Sequence, residues 1–200
     1  VLGQLDPAET LFMMASKSLG TLETLCNAAS GLQWLADALQ IDLVTARQHH
    51  LIALTAKPEA AAAMGIPPEH VFPLWDWVGG RFSLWSSIGL PIALAVGFEQ
   101  FEQLLSGARA MDQHFIHAPL DQNMPVWMAV AGLYNVQQRD VVALSVVAYS
   151  YRLRSFASYL QQLEMESNGK NTDSAGQPLQ GLTAPVLFGG VGSDVQHSYF

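Results

Sequence analysis

Short, uninterrupted apolar runs that alternate with helical patterns are the feature that most constrains the fold of this chain. Residues 51–55 read Leu-Ile-Ala-Leu-Thr, with no polar side chain before the last position. Such a run is typical of a strand buried on both faces of a sheet. Residues 11–15 are a similar run, 141–147 form a β-branched run that also predicts a strand, and helical patterns lie at 21–39 and 57–64. The alternation predicts an α/β fold whose sheets are mainly parallel.

Composition narrows the class of protein. Of the 200 residues, 50% are hydrophobic and 13% are charged, enough to bury a sizeable core. The net charge of −8 disfavours nucleic-acid binding, because an acidic surface repels phosphates. The longest apolar stretch, 88–98, is shorter than the roughly 20 residues that a membrane span needs. We therefore expect a cytoplasmic protein that binds neither nucleic acid nor membrane. The single cysteine, Cys26, excludes an intrachain disulfide.

Residues 16–21, Ser-Lys-Ser-Leu-Gly-Thr, connect the first predicted strand to a helical pattern. Hydroxyl side chains before a helix can hold a phosphate, since the free N–H groups and the helix dipole favour an anion there. Lys17 would add positive charge. An ordinary capped strand–helix turn, with Thr21 as the N-cap, is the alternative interpretation.

A second segment places two glycines directly before Arg81 among aromatic residues. Glycines permit a tight backbone and the close approach of a ligand, and the arginine could bind an oxyanion. A structural turn in which Arg81 pairs with Asp76 is the alternative.

Two further positions could carry acid–base chemistry. Glu166 lies near a turn-forming Asn-Gly-Lys sequence, and His197 follows a glycine-rich segment that we expect to be a loop. Most such glutamates are solvated, and a lone histidine is more often structural. The chain contains no Gly-x-Gly-x-x-Gly, Walker or nucleophile-elbow sequence, which argues against nucleotide or serine-hydrolase chemistry.

Taken together, the segments resemble the glucose-6-phosphate isomerase family. Residues 76–86, Asp-Trp-Val-Gly-Gly-Arg-Phe-Ser-Leu-Trp-Ser, resemble one of its two signature motifs. Residues 105–112, 165–170 and 192–197 resemble later family segments in the same order, and 11–24 resembles the segment with the phosphate-binding turn. The resemblance covers nearly the whole chain.

The resemblance implies two sugar-isomerase-type (SIS) α/β units, each a parallel sheet flanked by helices. Residues 1–92 correspond to the later part of the first unit, and 93–200 to linker helices and the earlier part of the second. Because the family's earlier glycine-serine loop and its later lysine-containing signature have no counterpart here, we expect an internal piece. The family turn usually reads Ser-Lys-Thr-Phe-Thr-Thr, whereas this chain has Ser18, Leu19 and Gly20 in the middle.

The resemblance also implies site residues. The turn that holds the substrate phosphate would consist of Ser16, Lys17, Ser18 and Thr21. Arg81, with Gly80 beside it, would stabilise the enediolate, and Gln162 would contact the substrate. Glu166 would be the base that moves the proton between C2 and C1. His197 would assist ring opening, from the partner subunit of a homodimer with a shared active site.

The implied activity is an aldose–ketose isomerase that interconverts glucose 6-phosphate and fructose 6-phosphate through a cis-enediol, in glycolysis and gluconeogenesis. Such proton transfer needs a positioned base and a fixed cation but no metal or redox cofactor. One alternative is a non-catalytic module that binds a sugar phosphate, which would need the turn but neither Glu166 nor His197. Another is an inert remnant of a truncated protein.

Overall fold

The computed structural model describes residues 2–199, which form two compact units. The first unit ends at Phe101 and the second begins at Glu102. Within these residues no helix combines the length and the apolar character that crossing a membrane requires. The assignment of residues 1–92 and 93–200 to parts of two sugar-isomerase-type units remains a prediction.

The first unit is built on a three-stranded parallel sheet in the order β1-β2-β3. Its strands are β1 (Phe12–Ala15), β2 (Leu51–Thr55) and β3 (Val71–Pro73). All five residues of β2 are buried, as the apolar run predicts, because this strand has a hydrogen-bonded neighbour on each edge. In the register, Met14 lies opposite Ala53.

Four α-helices lie in this unit beside its short 3-10 helices, and a fifth begins in it and continues into the second unit. They are α1 (Leu22–Leu39), α2 (Leu43–His50), α3 (Pro58–Ala63), α4 (Leu90–Val96) and α5 (Phe98–His117). Helix α1 begins directly after Thr21, which is the predicted N-cap, although the Thr21 side chain makes no capping hydrogen bond.

Helix α2 was absent from the sequence prediction, because its short sequence carries no apolar stripe. Its N-cap residue Asp42 accepts a hydrogen bond from the backbone N–H of Thr45 at 2.9 Å. This bond, followed by one from the Thr45 hydroxyl, holds the pKa of Asp42 below its usual value. A local cap therefore compensates for the weak pattern.

The core of the first unit lies where α1 packs on the sheet. Its fully or nearly fully buried members include Met14, Leu32, Leu35, Ala46, Leu51 and Ala53. Gly31 allows α1 to lie close to β1, since a Cβ at this position would stand 2.7 Å from the Phe12 ring.

The second unit contains a two-stranded parallel sheet formed by β4 (Ala143–Ala148) and β5 (Val186–Val191). Helix α6 (Met124–Gln138) precedes β4. Between the strands, α7 (Phe156–Leu160) runs without a break into a π-helix, Gln161–Glu166. Strands joined through helices and paired in parallel again agree with the predicted α/β class.

The glycine-rich segment before His197 is not a loop, so that prediction was wrong. Gly189 and Gly190 lie inside β5, and Gly192 is the first residue of helix α8 (Gly192–Tyr199). A Cβ at Gly189 would collide with the Val146 carbonyl oxygen of β4. These glycines serve close packing rather than chain reversal.

We expect Leu35→Ala to destabilise the first unit by about 2–5 kcal/mol, because Leu35 has 0% exposure and the truncation leaves a cavity. Urea unfolding of the chain measures the change. Leu22→Ala is the matched control, since Leu22 lies on the same helix and is 69% exposed. Equal losses for the two variants would contradict the packing of α1.

Candidate functional site

The turn at residues 16–21 is attached by its backbone to the end of β2. The Ser16 N–H donates to the Leu54 carbonyl at 3.1 Å, and the Ala56 N–H donates to the Lys17 carbonyl at 3.0 Å. The hydroxyl of Thr55 also donates to the Lys17 carbonyl, at 3.1 Å. The position of the turn is therefore fixed by the sheet and not only by its own side chains.

Side chains within the turn hold its shape. The buried Ser16 hydroxyl accepts the Leu19 N–H at 3.1 Å and lies 3.4 Å from the Thr21 hydroxyl. The Ser18 hydroxyl accepts the Gly20 N–H at 3.3 Å. Leu19 is buried and adopts a φ of +52°, a left-handed conformation that costs a non-glycine residue about 1–3 kcal/mol. The surrounding bonds maintain this strained turn.

Lys17 connects the turn to the glycine-arginine segment. Its ammonium group donates to the backbone carbonyl of Asp76 at 2.6 Å. A Cβ on Gly79 would lie only 3.8 Å from the same Nζ atom. The exposed residues Gly80 and Arg81 follow immediately, and Gly80 has a φ of +55°. Two segments that the sequence assigned to one site thus meet in the first unit.

All these groups lie at the same end of the sheet, where its parallel strands have their carboxyl ends. Ser16 follows β1, Thr55 ends β2 and Asp76 comes shortly after β3. Ligands of open parallel sheets bind beyond the carboxyl ends of the strands. Helix α1 begins here as well, and its first N–H groups have no partner within the helix. With the Lys17 ammonium, this edge is suited to an anion such as a phosphate.

Gln162 and Glu166 lie together on the π-helix of the second unit. Both side chains are exposed, whereas Glu164 between them is half-buried. The Lys170 ammonium group donates to the Glu166 backbone carbonyl at 2.7 Å, which caps this end of the helix. Single-turn π-helices occur frequently at functional sites.

His197 lies exposed on α8, the helix that directly follows β5. The neighbouring Gln196 accepts a hydrogen bond from the Tyr149 hydroxyl at 3.4 Å, and Tyr149 follows β4. Helix α8 is thereby held at the ends of the two strands, with His197 one residue beyond this contact.

Thr55 supports the backbone of the candidate site, and the sequence did not predict it. Its side chain has 0% exposure, and its hydroxyl both donates to the Lys17 carbonyl and accepts the Lys57 N–H at 3.1 Å. The sequence feature that could have indicated Thr55 is its hydroxyl at the end of an otherwise apolar strand. Among residues 2–199, no group of three or more His, Cys, Asp or Glu side chains is arranged to hold a metal ion.

Comparison with known proteins identifies the family. The phosphoglucose isomerase family model matches residues 1–200. The chain belongs to the phosphoglucose isomerase family. The family that the sequence motifs predicted is therefore confirmed over the full sequence.

Family members of known name are similar along the whole chain. It is 50% identical to the glucose-6-phosphate isomerase of Acinetobacter venetianus over 200 residues, covering 100% of this chain and 36% of that protein. It is 50% identical to the glucose-6-phosphate isomerase of Bordetella petrii over 199 residues, covering 100% of this chain and 37% of that protein. The chain thus spans about a third of the length of these relatives.

Two solved structures share the fold of this chain. A crystal structure of a glucose-6-phosphate isomerase from Chlamydia trachomatis matches with a TM-score of 0.85 and 33% identity, over 100% of this chain and 38% of that one. A Thermus thermophilus protein described as hypothetical matches with a TM-score of 0.77 and 34% identity, over 98% of this chain and 45% of that one. The predicted α/β fold of the sugar-isomerase type is confirmed.

We expect Ser16→Ala to destabilise the first unit by about 1–3 kcal/mol, because the Leu19 N–H then loses its buried acceptor. Thermal or urea unfolding measures this loss. Ser30→Ala is the matched control: Ser30 is exposed on α1 and bonds only the Cys26 carbonyl one turn earlier, so its removal should change stability little. A Ser16 variant as stable as the Ser30 variant would contradict the bracing of the turn.

Proposed function

We propose that this chain carries part of the active site of an isomerase that interconverts glucose 6-phosphate and fructose 6-phosphate. The observation that carries the proposal is the 2.6 Å bond from Lys17 to the Asp76 carbonyl, which joins two segments 59 residues apart. It draws a hydroxyl-rich turn and a glycine-arginine segment to one edge of a parallel sheet. Such an edge suits an anionic substrate with a reacting oxygen nearby.

The proposed phosphate site uses the turn and the start of α1. Its members would be Ser16, Lys17, Ser18 and Thr21. Ser16 is buried, so its part is mainly to hold the loop, while the exposed Lys17, Ser18 and Thr21 can face the ligand. Because phosphate is bound by dipoles and hydroxyls as well as by Lys17, the acidic net charge of −8 does not oppose the proposal.

Arg81 is the proposed stabiliser of the enediolate. Negative charge grows on the substrate oxygens as the proton leaves carbon, and a fixed cation lowers the energy of that state more than of the ground state. Gly80, with its positive φ, lets the backbone turn sharply just before the guanidinium.

Glu166 is the proposed base, and Gln162 the proposed substrate contact on the same π-helix. A carboxylate can remove the proton next to a carbonyl and return it to the adjacent carbon, which contributes about 10²–10⁴-fold to the rate. His197 would assist ring opening in the site of the partner subunit, which makes the proposed enzyme a homodimer. This chemistry needs no metal or redox cofactor, and we propose a cytoplasmic location.

The central test is Glu166→Gln in the full-length protein. The substitution keeps the side-chain shape but removes the basic oxygen. We expect kcat to fall about 10²–10⁴-fold with KM changed much less, because the phosphate is held elsewhere. The measurements are steady-state kinetics and exchange of the C2 hydrogen with solvent.

Glu164→Gln is the matched control, since Glu164 lies on the same π-helix two residues earlier. It should leave exchange unchanged. Wild-type exchange in the Glu166 variant would refute the assignment. If sugar-phosphate binding persisted without any isomerisation in the unsubstituted protein, the alternative of a non-catalytic binding module would stand instead.

A separate prediction concerns the 200 residues alone. We expect the isolated chain to show no isomerisation above its own Glu166→Ala variant, because the family's glycine-serine loop and lysine segment have no counterpart in it. A coupled assay that detects fructose 6-phosphate formation decides the matter. Clear turnover, lost on Glu166→Ala, would show that these residues suffice.

A further inference from the structure

The π-helix that carries Glu166 is attached to β5 by two of its own side chains. The Gln161 side-chain amide donates to the Leu187 carbonyl at 3.0 Å. The Met165 thioether sulfur accepts the Leu187 N–H at 3.3 Å. Both polar groups of one strand residue are thus bound by the helix, and the second of these contacts is made by the residue next to Glu166.

The geometry of the strand explains why Leu187 can be held in this way. The Val186 N–H donates to the Val142 carbonyl at 2.8 Å, toward β4. Because successive residues of a strand turn their backbone groups to opposite sides, those of Leu187 face the other edge of β5. Leu187 is only 3% exposed in the intact structure, so the side chains of the helix, and not water, supply the partners that its backbone groups need.

We propose that Gln161 and Met165 are positioning residues that hold Glu166 in place by fixing the π-helix to the edge of β5. The inference rests on the proposed function of Glu166 as the base. Two anchors at opposite ends of the helix oppose both its rotation and its sliding along the strand. With one anchor alone, the helix could rotate more easily about its remaining contact with Leu187.

The end of the π-helix that carries Met165 and Glu166 is also held by backbone contacts, and these make the Met165 anchor more effective. The Gly169 N–H donates to the Met165 carbonyl at 2.9 Å, and Lys170 caps the Glu166 carbonyl. A Cβ on Gly169 would collide with that Met165 oxygen, so the chain must turn closely there. The Glu166 backbone therefore lies between the sulfur anchor and a tight helix end, and a small shift of the anchor displaces the carboxylate.

The test uses two near-isosteric variants of the full-length protein. Gln161→Glu replaces the donor amide by a carboxylate oxygen that repels the Leu187 carbonyl. Met165→Leu removes the acceptor sulfur from the Leu187 N–H. We expect each to lower kcat about 10- to 100-fold with KM within about twofold, because displacing a catalytic group by about 1 Å costs up to that much. The double variant should lose little more than the worse single one.

Rescue separates positioning from general packing. Met165→Gln restores an acceptor oxygen for the Leu187 N–H, so it should recover most of the kcat that Met165→Leu loses. A role in packing alone predicts the opposite, since a polar side chain in this half-buried place is worse than leucine. Matched controls are Gln138→Glu and Met111→Leu, exposed positions on α6 and α5, which should retain kcat.

Glu166→Gln, measured in parallel, keeps the two proposals distinguishable. If it abolishes exchange while the Gln161 and Met165 variants match their controls, the positioning role is refuted and the base assignment stands. If Glu166→Gln leaves exchange intact, the base assignment is refuted, and the positioning role that rests on it is refuted as well. The positioning role is also refuted if, across the variants, kcat falls in proportion to the melting temperature and Met165→Gln does not recover it. Should Met165→Leu not fold, Gln161→Glu decides the question alone.

Discussion

Hydrogen bonds to the backbones of two strands, β2 and β5, fix the turn at residues 16–21 and the π-helix that carries Glu166. A buried N–H or C=O group needs a partner, and where a strand ends, or on a side of a strand that faces no other strand in these units, another segment must supply one. In the first unit the end of β2 bonds to the turn at Ser16 and Lys17. In the second unit the outer edge of β5 at Leu187 bonds to side chains of the π-helix. The same requirement thus places the proposed phosphate turn and the proposed base.

Strain at the turn is consistent with this arrangement. Leu19 keeps a left-handed backbone because its side chain is buried and its N–H is bound by Ser16. Such strain persists only where the surroundings determine the conformation. The departure from the family sequence at Leu19 and Gly20 therefore leaves a turn that is still fixed by its backbone, by Thr55 and by the start of α1.

The sequence predicted elements well where burial repeats regularly. The five-residue run of β2 and the leucine spacing of α1 each report a continuous apolar surface, and both elements lie where they were expected. The sequence pattern did not predict elements that depend on a local cap or a close contact instead of regularly spaced apolar residues. Helix α2 has the Asp42 cap, and the glycine at position 189 of β5 makes room for the Val146 carbonyl of β4 and does not mark a loop. The π-helix depends on contacts with β5, so no spacing within residues 161–166 predicts it.

The sequence by itself determined the α/β class, the fully buried strand β2 and, through its motifs, the family. Its motifs also predicted the candidate residues from Ser16 to His197, apart from Thr55, Gln161 and Met165, because residue types and their order along the chain are local information. Tertiary structure alone decided that Lys17 reaches the Asp76 carbonyl, that Thr55 holds the Lys17 backbone, and that Leu187 anchors the helix of Glu166. These contacts join residues far apart in the chain, and their partners are set by parallel strand pairing and the need to satisfy buried backbone groups.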